Sequence, residues 1–339
     1  MKLEIAVLFG CMSSEHSVSC MSAYNVIQNL DRNKYNVTCI GIDLEGNFLN
    51  YLGDLEKIKN NTWKEDFENI FKINNIFVYL KIFDVVFPVI HGKYAEDGAI
   101  QGILEFSNVK YVGCDVVGSS IGYDKILSKK LTKNINIDVV NYTSFTKYED
   151  LKDEYIIEKL KTNKLKFPLF VKPNKEGSSY GVKKANNLSE IKEAVIYALT
   201  FDNIALVEEY VEDKIEVECA VLGNNELLIS TPGQICSANE IYDFESKYAN
   251  EKSYTKIPAD LSIEKLNLIK EYSNKIFKTL QLKGLSRIDF FVTNNKIYFN
   301  EVNTMPGFTD ISMYPMLMKH IGIEYNELLD KLIELALNR

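Results

Sequence analysis

The chain has 339 residues, 46% of them apolar and 25% charged, which suits a soluble globular protein of two or three packed domains. Asp and Glu outnumber Lys and Arg by 47 to 39, giving a net charge of −8 and no basic footprint for nucleic acid. A single nucleotide is not excluded, because it needs only a few local cations.

Residues 3–9, LEIAVLF, read as a buried strand. The apolar run is short and Glu4 interrupts it, unlike the core of a signal peptide. Nowhere does an apolar run approach the ~20 residues of a membrane helix. A helical pattern follows at 17–30 and a strand at 37–42. A second buried strand at 82–90 leads through His91 to a helix at 97–107 and a short strand at 110–113. Strands alternating with helices predict parallel pairing and an α/β layer structure. There is no GxGxxG after the first strand, so a dinucleotide site has no support.

One long helix is expected over 119–133. The strand 167–171 then runs into KPNKEGSSYG, and Asn187 with Glu190 marks the start of a helix continuing through 191–201. Strands are expected at 204–208, 216–222 and 226–230, and a helix at 261–280. Two strands flank Asn294 and Asn295, and a final helix begins at Tyr325. With 7 prolines and 17 glycines, no long flexible linker or repeat is visible. The six cysteines form no CxxC pair and are expected as free thiols in a reducing cytoplasm. The three histidines lie far apart, so no His-based metal motif is seen.

Four segments carry candidate chemistry. In SRIDFFVTNNKIYFNEVNTMPG, strand alternation puts Arg287 and Asp289 on one face, and Glu301 and Asn303 on one face of the next strand. A three-residue connection through Asn294, Asn295 and Lys296 would set Asp289 opposite Glu301, whereas a two-residue turn would not. Two carboxylates and an amide suit a hard cation such as Mg²⁺; a solvated hairpin face is the alternative. Second, Lys172 precedes EGSSYG, where Gly177 and Gly181 permit close backbone approach and Ser178 and Ser179 lie among successive N–H groups. This can be a phosphate cradle or a plain hairpin tip. Third, His91 ends a buried strand, where ligands of open α/β sheets gather, or is simply a hydrogen-bonded strand-end histidine. Glu96 and Asp97 beside it suit a helix N-terminus. Fourth, GCMSSEHSVS follows the first strand. There Glu15 can meet a cationic substrate group, or Ser13 or Ser14 can cap the helix.

Taken in order, SSEHSVS, HGKYAEDGAIQGILE, YDKILSK, FVKPNKEGSSYGV, VEEYVEDKIEVECAVLG, YDFESKY, RIDFF and NEVNTMPGFTDIS resemble the D-alanine–D-alanine ligases of the ATP-grasp superfamily, across residues 13–312. The resemblance implies an N-terminal open α/β domain (1–115) holding the first amino acid. A central lobe (116–207) and a C-terminal lobe (208–339), the latter with the metal and acceptor sites, would grasp ATP. The implied reaction joins two D-alanines through an acyl phosphate, releasing ADP and phosphate and supplying peptidoglycan precursors. Lys125 and Lys172 are expected at the ATP phosphates under a loop containing Gly177 and Ser179. The adenine is expected near Glu208, Glu209 and Val211, with the choice between the two glutamates left open, and the ribose at Glu216. Asp289, Glu301 and Asn303 correspond to ligands of Mg²⁺ or Mn²⁺.

By the same resemblance, Glu15 meets the first ammonium, Ser178 and Tyr248 fix it and the lid, and His91 lines the amino-acid site. Lys247 lies near phosphate and carboxylate, and Ser312 receives the second carboxylate. Arg287 and the N–H of Gly307 face the oxyanion. Met313 follows Ser312, where resistance-type ligases usually have arginine. Ala95, Tyr123 and Asp310 depart from the usual pattern. YLGDLEKIKNNTW and VGCD are also similar to VanG-type D-alanine–D-serine ligases, so D-serine and other ATP-grasp carboxylate–amine ligations stay as alternatives. A cytoplasmic protein without nucleic-acid or membrane partners is expected, with a homodimer left open.

Overall fold

The structure is a computed structural model that describes residues 2–236, 254–309 and 311–339. Its first sheet has six strands. Leu3–Gly10 lies between Tyr35–Ile42 and Val85–Pro88, with Lys110–Tyr111 beyond the latter, all four parallel. Phe48–Tyr51 and Ile70–Lys72 continue the other edge antiparallel. The last six residues of Leu3–Gly10 are buried, as expected for a central parallel strand covered on both faces. Its carboxyl end therefore opens onto the loops carrying Glu15 and His91.

A four-stranded antiparallel sheet follows, in the order Tyr142–Thr146, Ile204–Glu209, Leu169–Pro173, Lys183–Ala185. Helix Leu188–Ala198 backs it and starts as expected, the Asn187 side chain accepting from the Glu190 N–H at 3.1 Å. The third sheet runs Tyr254–Lys256, Gly233–Cys236, Ile215–Gly223, Gly284–Val292, Ile297–Asn303, and Leu227–Ile229 also pairs with Ile215–Gly223.

The helix expected over 119–133 is two helices, Val116–Tyr123 and Lys125–Asn134. Asp124, at φ −83° and ψ 99°, breaks the run and accepts from the Leu127 N–H at 2.9 Å. An aspartate in that role starts a new helix, so Lys125 becomes its first residue.

The hairpin also differs from expectation in its turn, though not in its outcome. Val292 pairs with Ile297, and Thr293 donates to the Lys296 carbonyl, so Asn294 and Asn295 alone form the tip. That register would set Asp289 opposite Asn300. A β-bulge between Asp289 and Phe290 takes Asn300 out of step, and Asp289 pairs with Glu301 instead.

One apolar core joins distant parts of the chain. Val85, Phe87 and Val112 of the first sheet pack with Ala220 and Leu222 of the third and with Tyr314, Leu328 and Leu332 of the last two helices. These helices, Met313–His320 and Tyr325–Leu337, thereby fix the first sheet against the third. All six cysteines are unpaired. No described helix is long and apolar enough to cross a membrane.

Candidate active site

Two adjoining clefts share Lys125, Gly177, Ser178, Arg287 and Glu301. One lies between the four-stranded sheet and the third sheet. Phe170 stacks on Tyr210 at 5.6 Å there, and Lys214 Nζ stands 3.8 Å over the Phe291 ring. Together with Glu209, Val211 and Glu216 they line an aromatic slot suited to a planar base. Glu216 is held by Lys214 at 2.9 Å.

Cations gather at the slot's inner end. Lys125 Nζ donates to the Glu176 carbonyl at 2.6 Å and pairs with Glu301 at 3.3 Å. Lys172 pairs with Glu208 at 2.6 Å and donates to Asn300 at 3.4 Å. Glu208 is spoken for twice, because Lys129 Nζ lies 2.7 Å from its other oxygen. Burial would raise the Glu208 pKa, but Lys129 and Lys172 together bring it down to about 2. Of the two glutamates left open, only Glu209 is free of these lysines; it accepts from the Lys166 N–H at 3.3 Å. The 177–181 loop above bends through φ values of 49° at Ser178 and 60° at Ser179, so the serines as well as Gly181 adopt left-handed backbone.

On the hairpin, Arg287 grips Asp289 through Nε and Nη2, both at 2.8 Å, and meets Glu218 at 2.9 Å. Burial works against the Arg287 charge, but Asp289 and Glu218 outweigh it and hold its pKa well above the usual value. Asn303 Nδ2 donates to Asp289 at 3.0 Å, so Arg287, Asp289 and Asn303 form one connected group, with Glu301 opposite Asp289 in register. Among the described residues no three His, Cys, Asp or Glu side chains converge as a metal cage. The expected trio contains an amide, and its oxygens are the hard donors Mg²⁺ prefers.

The second cleft lies against the ends of the first sheet. Glu15 occupies the cap position of helix His16–Asn29, but neither Ser13 nor Ser14 caps it; Ser13 Oγ instead donates to the His91 carbonyl at 2.9 Å. Gly177 is tight against Glu15: a Cβ there would lie 2.6 Å from Glu15 Oε1. His91 lines this cleft with both ring nitrogens engaged. Nδ1 bonds the Met305 carbonyl at 3.0 Å and Nε2 bonds Ser22 Oγ at 2.9 Å, while Ser22 also accepts from the Phe308 N–H. Burial lowers its pKa, so the ring is neutral and anchors the turn bearing Gly307. Glu96 leaves the helix start to Asp97 and accepts from the N–H groups of Gly92, Thr304 and Met305. Burial and the nearby Glu15 raise its pKa to about 7. Ser312 precedes helix Met313–His320, its hydroxyl 2.8 Å from Thr309 Oγ1. Met313 is buried, with its sulfur 3.3 Å from where a Gly233 Cβ would sit.

A family model described as the D-ala D-ala ligase N-terminus matches residues 4–114, and one described as the C-terminus matches residues 131–334. The chain belongs to the D-alanine–D-alanine ligase family. The D-alanine–D-alanine ligase of Acetivibrio thermocellus is 44% identical over 365 residues, covering 100% of this chain and 96% of its own. The VanG D-Ala:D-Ser ligase of Enterococcus faecalis has a TM-score of 0.89 at 38% identity, covering 99% of this chain and 100% of its own. The Bacillus anthracis D-alanine–D-alanine ligase complexed with ATP has a TM-score of 0.76 at 29% identity, covering 100% and 98%. As a member of this family the chain is an ATP-using carbon–nitrogen ligase, with an open α/β domain followed by a two-lobed ATP-grasp fold.

Several residues in or behind this ligase's clefts escaped the sequence reading. Lys129 repeats one helical turn after Lys125, a spacing that puts both on one face, but lysine spaced so usually signals a solvated surface. Glu218 alternates with Glu216 and could have been found by strand period. Asn300 and the Thr304 and Met305 N–H donors to Glu96 carry no local signal, because a bulge and contacts across more than 200 residues decide them. Lys247, Tyr248 and Asp310 lie outside the described residues.

Proposed function

We propose that this ligase condenses two D-alanines at the expense of ATP, forming D-alanyl-D-alanine, ADP and phosphate for peptidoglycan precursors. The reading is carried by the joined clefts, in which Glu15, Lys125, Lys172, Arg287 and the Asp289–Glu301 pair converge. Lys125 and Lys172 neutralise the phosphates, and main-chain N–H groups of the 177–181 loop cradle them. Glu15 takes the ammonium of the first D-alanine, and its carboxylate attacks the γ-phosphate, giving an acyl phosphate and ADP. The amine of the second D-alanine, its carboxylate at Ser312, then attacks the acyl carbon. The C–N bond forms as the C–O bond to phosphate breaks, and the proton shed by the amine leaves with the departing phosphate. Arg287 and the Gly307 N–H stabilise the passing oxyanion.

Asp289, Glu301 and Asn303 fit Mg²⁺, which would supply charge neutralisation between ATP phosphates. The same reading keeps the division at 115 but moves the one expected after 207 to just after Glu209, because the strand Ile204–Glu209 lies wholly within the four-stranded sheet.

D-serine as acceptor is the second reading, favoured by likeness to a solved D-Ala:D-Ser ligase. Met313 argues against it, since a buried thioether gives a serine hydroxyl no donor in return for desolvation. D-alanine is therefore the expected acceptor, D-serine slower and D-lactate nearly inert. Coupled ADP release with each acceptor tests this; kcat/KM for D-serine equal to that for D-alanine would overturn it.

A further inference from the structure

Tyr123 ends helix Val116–Tyr123, two positions before Lys125. It is 7% exposed and lines the amino-acid cleft beside Glu15, His91 and Gly122. Its hydroxyl is shut away from solvent and makes no hydrogen bond to any described residue. Buried polar atoms are nearly always paired, so a buried hydroxyl left without a partner at a ligand cleft points to a ligand as that partner.

The chemistry around it narrows the choice. Burial, then Glu176, Glu96, Glu15 and Asp97, push the phenol pKa far up, so it stays a neutral O–H. These carboxylates place the lone pairs of the phenol in a field that favours a cation. Lys125 and Arg287 line the same cleft. A zwitterion entering this field turns its carboxylate toward those cations and its ammonium toward Glu15 and Tyr123.

We propose that Tyr123 is a substrate contact, its hydroxyl oxygen accepting from the ammonium of the first amino acid alongside Glu15. The assignment rests on the D-alanine reading above. It gives the site a second ammonium acceptor and makes Tyr123 a determinant of affinity at the first amino-acid position only.

Tyr123→Phe removes the hydroxyl and keeps the ring. Rates measured against D-alanine at saturating ATP resolve separate constants for the two amino-acid sites. The first-site constant is expected to rise roughly 10- to 100-fold, as for loss of a hydrogen bond to a charged group. The second-site constant and KM for ATP should stay within about twofold, because uniform binding of one substrate is what is lost. Thermal unfolding without ligand should be no lower in Tyr123→Phe, whereas D-alanine with a nonhydrolysable ATP analogue should stabilise the unmodified chain more. An unchanged first-site constant, a rise confined to the second site, or an equal rise in KM for ATP would overturn the proposal. Absence of D-alanine-dependent ADP release in the unmodified enzyme would instead overturn the D-alanine reading, a separate and recognisable result.

Discussion

Replacing Glu208 by Gln tests whether the buried lysine pair is held by one carboxylate. Glu208 is 3% exposed, and its oxygens lie 2.7 Å from Lys129 Nζ and 2.6 Å from Lys172 Nζ. A fall in its pKa from 4.5 to about 2 corresponds to about 3 kcal/mol of net preference for the charged form. Glutamine would leave wholly buried Lys129 and its neighbour Lys172 without their anion, and breaking a buried pair typically costs about 3–5 kcal/mol. The two figures agree, and for a chain of 339 residues a Tm lower by roughly 5 °C follows. Because the folded pKa lies below the unfolded one, the Glu208 contribution is present above about pH 4.5 and fades as pH falls toward about 2. The gap between Glu208→Gln and the unmodified chain should therefore be full at pH 7.5 and narrow in acid. Calorimetry at several pH values reads this directly. KM for ATP should rise about tenfold as Lys172 loses its anchor. Lys129→Met should be milder, since Glu208 keeps Lys172. Equal Tm values for Glu208→Gln and the unmodified chain at pH 7.5 would refute the reasoning.

Glu301→Ala should abolish Mg²⁺-dependent ADP release while leaving the fold intact; near-full activity would remove Glu301 from the metal set. Met313→Arg should shift acceptor preference toward D-serine, read as the ratio of kcat/KM values, where an unmoved ratio would clear this position of any role. Glu96, with a pKa raised to about 7, works in the opposite sense to Glu208. Its contribution is present below about pH 4.5 and lost as pH rises through about 7, so Glu96→Gln should flatten the fall of Tm between those values. A pH dependence identical to that of the unmodified chain would contradict this.

The sequence was most legible where local chemistry and period agree. The first strand, the Asn187 cap and the faces of the hairpin strands all follow from patterns a few residues long. It misled where one residue changes direction. Asp124 looks like one more polar position in a helix until its carboxylate claims the Leu127 N–H. Asn300 looks like one more strand residue, yet its bulge is what brings Asp289 and Glu301 together across a turn of the other register. Phe48–Tyr51, Tyr142–Thr146 and Asp153–Thr162 were missed because short edge strands and a charged surface helix carry weak apolar periodicity. In the site, the lysines Lys125 and Lys172 were readable singly. Their sharing of Glu208, and the full engagement of both His91 nitrogens, were not, because each depends on partners far away in sequence.

The core that joins the first sheet to the last two helices limits how such a protein can be re-engineered. Val85, Phe87 and Val112 share one core with Leu328 and Leu332, so the module built on the first sheet has no private interior along that side. A graft of residues 4–114 from another ligase would bring in new side chains against an unmatched set of helices, leaving voids or clashes of the kind that cost several kcal/mol. A change of amino-acid preference is thus more accessible through single substitutions at the cleft than through exchange of the domain, and a successful chimera would have to carry Met313–His320 and Tyr325–Leu337 with it.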